Sequence, residues 1–196
     1  MNPPAFRSTK ALFIALLILT ICAYIPWEAQ SAELDNPEQS LTVANWLAVN
    51  ALRSLAEAIV LVVLVYRTWS NVSQLSPGEG EPAWVPTPLA AALPLLVPLF
   101  GYAWIFVAYG RLSRLVAARC GQMLMPRWLL VAFLSAAALL GLQLAWADLI
   151  TAGLLPRPTL PESLRMTLSG ITPAYNILQL LAAFYLTRFN DSGAKI

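Results

Sequence analysis

The sequence predicts an all-α integral membrane protein: a helical bundle of four spans plus a proline-broken re-entrant segment, or else of five spans. Three observations lead there. The 196 residues are 59% hydrophobic and only 11% charged, with a mean hydropathy of +0.67. Soluble domains average about 45–50% apolar and roughly 25% charged residues, and a chain this short has no core large enough to hide the surplus. The apolar residues also gather in five long runs, and the segments between those runs hold most of the charge and many of the prolines.

A spanning helix needs about 20 mostly apolar residues. The first run is Ala11–Trp27, preceded by Arg7 and Lys10. The second is Trp46–Tyr66, and the third is Leu89–Tyr109, broken by Pro94, Pro98 and Gly101. The fourth is Trp128–Ile150, and the fifth is Ile171–Tyr185, entered through Pro173. All five belong to one domain covering residues 1–196. Trp27, Trp46, Trp69, Trp128 and Trp146 fall at or near run ends, where an amphipathic ring prefers the headgroup region. Glu28–Ser40 holds Glu28, Glu33, Asp35 and Glu38 with no Lys or Arg, and reads as an exposed loop. Ser70–Pro88 and Thr151–Ser169 should be irregular, because their prolines each remove a backbone donor. A second reading of the N-terminus stays open. Arg7, Lys10, an apolar core and Ala29-Gln30-Ser31-Ala32 resemble a cleavable secretory signal over residues 1–31.

Charge orients the runs, since Lys and Arg accumulate on the cytoplasmic side. With Arg7 and Lys10 inside and five true spans, the inside holds Arg7, Lys10, Arg67, Arg157 and Arg165. The outside then holds Arg111, Arg114, Arg119, Arg127, Arg188 and Lys195, so there is no bias. If Leu89–Tyr109 dips in and returns, only Arg157 and Arg165 stay outside, and the other nine lie inside. The re-entrant hairpin is therefore preferred, and a kinked ordinary span is the alternative. A short internal echo bears on the same choice. Tyr66-x-Thr68-x-x-Asn71 ends the second run and Tyr185-x-Thr187-x-x-Asn190 ends the fifth. A re-entrant centre makes the two helix pairs parallel, whereas a spanning centre makes them inverted.

The composition excludes much chemistry. There is no histidine, so the commonest metal ligand and neutral-pH base are missing, and no Ser-His-Asp or Cys-His site exists in this chain. Cys22 and Cys120 imply no disulfide framework. A phosphate loop, a dinucleotide motif and a metal cluster are absent from the sequence, so no cofactor or metal is expected. The net charge of +2 without a basic run gives no reason to expect nucleic acid.

The chemistry that remains is intramembrane. Arg53 and Glu57 stand at i, i+4 in the second run and share a helix face, with Asn50 and Ser54 beside them. A charge at that depth costs about 2.5–3.5 kcal/mol on insertion scales, so the pair should face protein or water. It would serve either to fix helix packing or a partner subunit, or to line a solute or ion path. Asn176 and Gln179, one turn apart with Tyr175 in the fifth run, would make helix–helix hydrogen bonds or bind a ligand. Gln143 and Asp148 lie in the fourth run, with Asp148 at its solvated end. Arg111–Arg127 would be an amphipathic helix on an anionic leaflet or a helix leaving the membrane.

Val65–Leu112 carries a recognisable pattern. Tyr66-Arg67-Thr68-Trp69 is followed by Thr87-Pro88, by Pro98 ten residues later, and by an aromatic stretch through Tyr102, Trp104, Phe106 and Tyr109. This resembles a family of small multi-pass bacterial membrane proteins of unknown function. Gly101 stands where that family has asparagine and Ala103 where it has an aromatic, so a polar turn role at 101 is not carried over. The resemblance implies membrane architecture, with Tyr66, Arg67, Trp69, Pro88, Pro98 and Trp104 as its structural motif. It implies no activity.

The expectation is a non-enzymatic accessory, scaffold or packing subunit, whose partners are the lipid bilayer and other membrane subunits or further copies of itself. The alternative is a small transporter or channel built on the Arg53–Glu57 pair. Either would sit in a bacterial cytoplasmic membrane with its N-terminus cytoplasmic unless cleaved.

Overall fold

Long apolar runs leave the backbone one economical way to pair its own N–H and C=O groups, which is the α-helix. The computed structural model describes residues 8–23, 37–97, 99–155, 168 and 170–192, with the backbone alone for 37–47. The described residues form α1 (Lys10–Cys22), α2 (Pro37–Ser73), α3 (Pro88–Ala92), a 3-10 turn (Leu93–Leu96), α4 (Phe100–Cys120), α5 (Arg127–Thr151) and α6 (Ile171–Ser192), with no strand among them.

Five boundaries differ from those expected. α1 ends at Cys22 rather than Trp27, and α6 runs on to Ser192, past Tyr185. α2 starts at Pro37 rather than Trp46, so residues 37–40 are helical rather than loop. Proline at a first helical position removes no helix hydrogen bond, which is why it does not delay the start. α2 also runs on to Ser73, past Tyr66. α4 continues past Tyr109 to Cys120 and stops where Gly121 takes φ +65°, a left-handed cap that glycine adopts without steric cost. Its last turns do not lie on a surface as an amphipathic strip would, because Leu112, Leu115 and Val116 are buried among the other helices. Trp27, most of the acidic loop after it, Pro98, and residues 156–167 with Arg157 and Arg165 lie outside the described residues.

Helix directions follow from contacts at known heights. α1 runs antiparallel to α2: Arg67 donates to the Ser8 carbonyl (3.4 Å) at one end, and Thr20 reaches Glu57 (3.2 Å) at the other. α6 runs parallel to α2, since Tyr175 and Asn176 share a cleft with Arg53 and Glu57 while Asn190 meets Asn71 (2.9 Å). α5 descends against both α4 and α6. Phe133 packs edge-on to Tyr109 (5.0 Å between centroids) and stacks on Tyr175 (5.8 Å).

Residues 88–120 form a hairpin. α3 is capped by Thr87, whose hydroxyl accepts from Ala90 N–H, and opens on Pro88. The chain turns through Leu95–Leu99 and returns as α4, with Trp104 donating to the Ala91 carbonyl (3.1 Å) across the two limbs. Gly101 is required here, because a Cβ would come within 2.7 Å of the Leu95 carbonyl oxygen. The outgoing limb ends where it began. Arg119 donates to the Val72 (2.9 Å) and Leu75 (3.1 Å) carbonyls at the α2 C-terminus and pairs with Glu81 in the linker (2.7 Å).

One end of the bundle thus collects the positive charge. Lys10, Arg67, Arg111, Arg114, Arg119, Arg127 and Arg188 all lie there, and Arg53 is the remaining cation among the described residues. Two helical stretches, Ala48–Ser73 and Arg127–Thr151, are long and apolar enough to cross a membrane. Only 22% and 28% of their apolar windows are buried, so most of that apolar surface faces outward. Leu52, Val131 and Leu142 point outward, an apolar exposure that water tolerates poorly.

Candidate functional site

Arg53 and Glu57 sit one helical turn apart on α2, and the structure closes them into an ion pair: Nη1 to Oε2 is 2.9 Å. Neither group is left to its partner alone. Arg53 also donates to the Leu19 carbonyl (3.3 Å) and to Ser54 Oγ (3.2 Å). Thr20 Oγ1 lies 3.2 Å from Glu57 Oε1 and 2.9 Å from the Leu16 carbonyl, so one hydroxyl proton is shared between them. α1 therefore covers one side of the pair.

The other side opens on a cleft of about 600 Å³. Its walls come from α2 (Arg53, Ser54, Glu57, Leu61), the hairpin tip (Leu95, Leu99, Tyr102, Ile105), α5 (Leu140, Leu144, Asp148) and α6 (Thr172, Tyr175, Asn176, Gln179). The lining mixes polar and apolar groups along its depth, with Leu55, Leu96, Val97, Leu99 and Leu144 near Arg53 and Asp148, and Gln179 near Leu61. Arg53, Asp148 and Thr172 lie toward the end away from the basic side, while Leu61, Ile105 and Leu140 lie toward it. Eight residues separate Arg53 from Leu61 and Asp148 from Leu140, a rise of about 12 Å. The Tyr102 and Tyr175 rings meet edge to face at 5.9 Å between the two ends. Leu99 forms the tip with φ +60° and ψ −52°, a left-handed conformation costing about 1–3 kcal/mol for a residue with a Cβ.

Of the polar residues singled out from sequence, Arg53, Glu57, Asn176 and Gln179 line this one cleft, together with Tyr175 and Asp148. Asn50 does not line it. Gln143 stays on α5 with a buried Oε1 that has no hydrogen-bond partner among the described residues. Thr20 and Tyr102 were not anticipated. Thr20 had a signal, being the one polar side chain in α1 after Lys10. Tyr102 had none, because its place depends on where the hairpin turns.

The two helices that carry the sequence echo, α2 and α6, also both line the cleft. Asn71 and Asn190 are 119 residues apart and bonded to each other. The same offset carries Arg53 to Thr172 and Glu57 to Asn176, and all four line the cleft. Asn190 Nδ2 further donates to Thr68 Oγ1 (2.9 Å) and Thr9 Oγ1 (3.2 Å), closing a buried network at the basic end.

The remaining motif residues build the frame. Trp69 is buried, Tyr66 is exposed, and Trp104 stacks on Phe100 (5.6 Å) and meets Trp84 edge-on (6.4 Å). Arg111 lies over the Trp84 ring at 5.9 Å. In the linker, the Arg119 guanidinium and then the Gly78 N–H hold the Glu81 carboxyl below its ordinary range. No group of three or more His, Cys, Asp or Glu that could hold a metal ion occurs among the described residues. No family model, curated relative or solved structure matches this chain.

Proposed function

We propose that this chain is a multi-pass membrane protein that binds a small solute in the cleft beside Arg53 and Glu57, as a small transporter or channel does. The observation that carries the reading is the meeting of polar groups from α2, α5 and α6 around one open volume. Groups that serve packing alone saturate one another and leave no space between them. Small-molecule sites typically occupy about 300–1,000 Å³, lined mainly by apolar side chains with a few placed polar groups.

In this reading α1, α2, α5 and α6 cross the bilayer and α3–α4 is re-entrant. The limb lengths support it. α3 and the 3-10 turn have five and four residues, rising about 15 Å, and the ten residues Phe100–Tyr109 rise about 15 Å back. Each is half of a hydrocarbon core of about 30 Å. The basic end faces the cytoplasm, as Lys and Arg favour, and the family resemblance of Val65–Leu112 makes the membrane a bacterial one. The two helix pairs are then parallel repeats about an axis along the membrane normal.

The accessory-subunit reading draws on a different observation, the cover that Leu19 and Thr20 give the ion pair from α1, which is what a packing device needs. Two experiments separate the possibilities. Cys120 is a native topology probe at the end of α4. An impermeant maleimide should label it only after cells are permeabilised, with Cys120→Ala as control. Labelling in intact cells would overturn the re-entrant arrangement. For function, solute binding or flux lost in Glu57→Gln with assembly intact supports the cleft. Assembly lost from a native membrane complex with binding retained supports the accessory role.

A further inference from the structure

We infer that the cleft selects an organic cation with an apolar body, an assignment that rests on the solute-binding reading above. Charge comes first. The acidic and basic side chains among the described lining residues are Arg53, Glu57 and Asp148, one guanidinium against two carboxyl groups. Arg53 is already engaged by Glu57, by Ser54 and by the Leu19 carbonyl. Its Nε has no hydrogen-bond partner among the described residues, but that atom is buried within the protein and offers nothing to an anion in the cleft. Asp148 is exposed at the cleft end away from the basic side, with no cation within 4 Å among the described residues. Among the described residues, the unbalanced charge presented to a ligand is negative.

Shape and polarity agree. The half-buried Tyr102 ring lines the same cleft as Glu57 and Asp148, edge to face with Tyr175 at 5.9 Å, and aromatic faces attract cations most where water is scarce. The exposed apolar lining of the cleft is Leu55, Leu96, Val97, Leu99 and Leu144. A small hydrated ion would leave that lining without contacts, whereas an apolar body covers it. The Arg53 guanidinium, 2.9 Å from Glu57, offsets part of the attraction.

The test uses tetraphenylphosphonium and tetraphenylborate, ions of nearly the same shape and opposite charge. Each is titrated by equilibrium dialysis against the full chain in a nonionic detergent, with partition into protein-free micelles subtracted. The cation should bind saturably and about tenfold or more tighter than the anion, the factor expected from one unbalanced charge partly screened by water. Asp148→Asn and Glu57→Gln should each weaken the cation several-fold without strengthening it for either ion. Glu57→Gln is expected to lose stability, so Asp148→Asn decides if the first fails to fold. Equal affinity, a preference for the anion, or unchanged cation binding in folded Asp148→Asn and Glu57→Gln would overturn the charge selection. Saturable binding that Tyr102→Ala abolishes would in those cases leave the cleft a binding site. If neither ion binds saturably, the solute-binding reading falls, and this inference with it.

Discussion

The two ends of the α2–α6 contact carry polar side chains at matching positions, yet the ends are built to opposite purposes. At the basic end Asn71, Asn190, Thr68 and Thr9 bond to one another within 3.2 Å and are almost wholly buried. Toward the far end Arg53, Glu57, Thr172 and Asn176, the 119-residue counterparts, stand around about 600 Å³ of open volume. The closed network cements two helices, because its amides and hydroxyls bond to one another across the contact. At the far end the polar groups border a volume that a solute can enter. Residue type alone does not distinguish the cases; what differs is whether the helices meet or leave a volume between them, and here Leu95, Leu96, Val97 and Leu99 of the hairpin line that volume.

The largest expected effect falls on the ion pair. Glu57→Gln removes the counter-charge of a partly buried arginine and should cost about 3–5 kcal/mol, read as a drop in the thermal unfolding midpoint in detergent. The double change Arg53→Met with Glu57→Leu should recover most of that loss while abolishing cation binding. A double variant that stays as unstable as the single would mean the pair's partners on α1, not the charge, hold the site. Next, Asn190→Ala strands the Asn71 amide and should cost about 1–3 kcal/mol, with tetraphenylphosphonium binding unchanged. Loss of binding there would show that the two ends are coupled and break the division drawn above.

A smaller effect sharpens the cleft side. A Cβ at Gly141 would lie 2.9 Å from Tyr102 Cβ, so Gly141→Ala should displace Tyr102 at a cost of about 1 kcal/mol and weaken cation binding several-fold. The smallest effect lies in the linker. Glu81 is held below its ordinary pKa of 4.5 in the folded protein. Its contribution to stability is therefore fully present above about pH 4.5 and fades as pH falls through the lowered value. The stability gap between the wild type and Glu81→Gln should be constant near neutrality and close in acid. A gap that widens in acid would reverse the sign and remove the Arg119 pairing as its source.

Much of the helical layout was legible because it is local. The fourth run, expected at 128–150, is the helix Arg127–Thr151, and the fifth starts at Ile171 as expected. Helix ends that lie in polar sequence were less legible. α2 and α4 overrun their apolar stretches, to Ser73 and Cys120, since tertiary contacts such as Arg119 on the Val72 and Leu75 carbonyls sustain the last turns. For the site, the ion pair of Arg53 and Glu57 could be read from i, i+4 spacing. Its cover by Thr20 and the ring of Tyr102 could not, because both come from other helices.

Sequence by itself determined that the chain is helical, where its apolar helices lie and which charges a low-dielectric surrounding would force to pair. Those properties follow from the residues within a few turns of each position. Only the tertiary structure decided that the central segment turns back so that seven cations gather at one end, and that residues 119 apart face each other. It alone also decided that one set of facing polar groups closes while the other stays open. Such outcomes depend on how helices pack across the whole bundle, which no local pattern in the sequence determines.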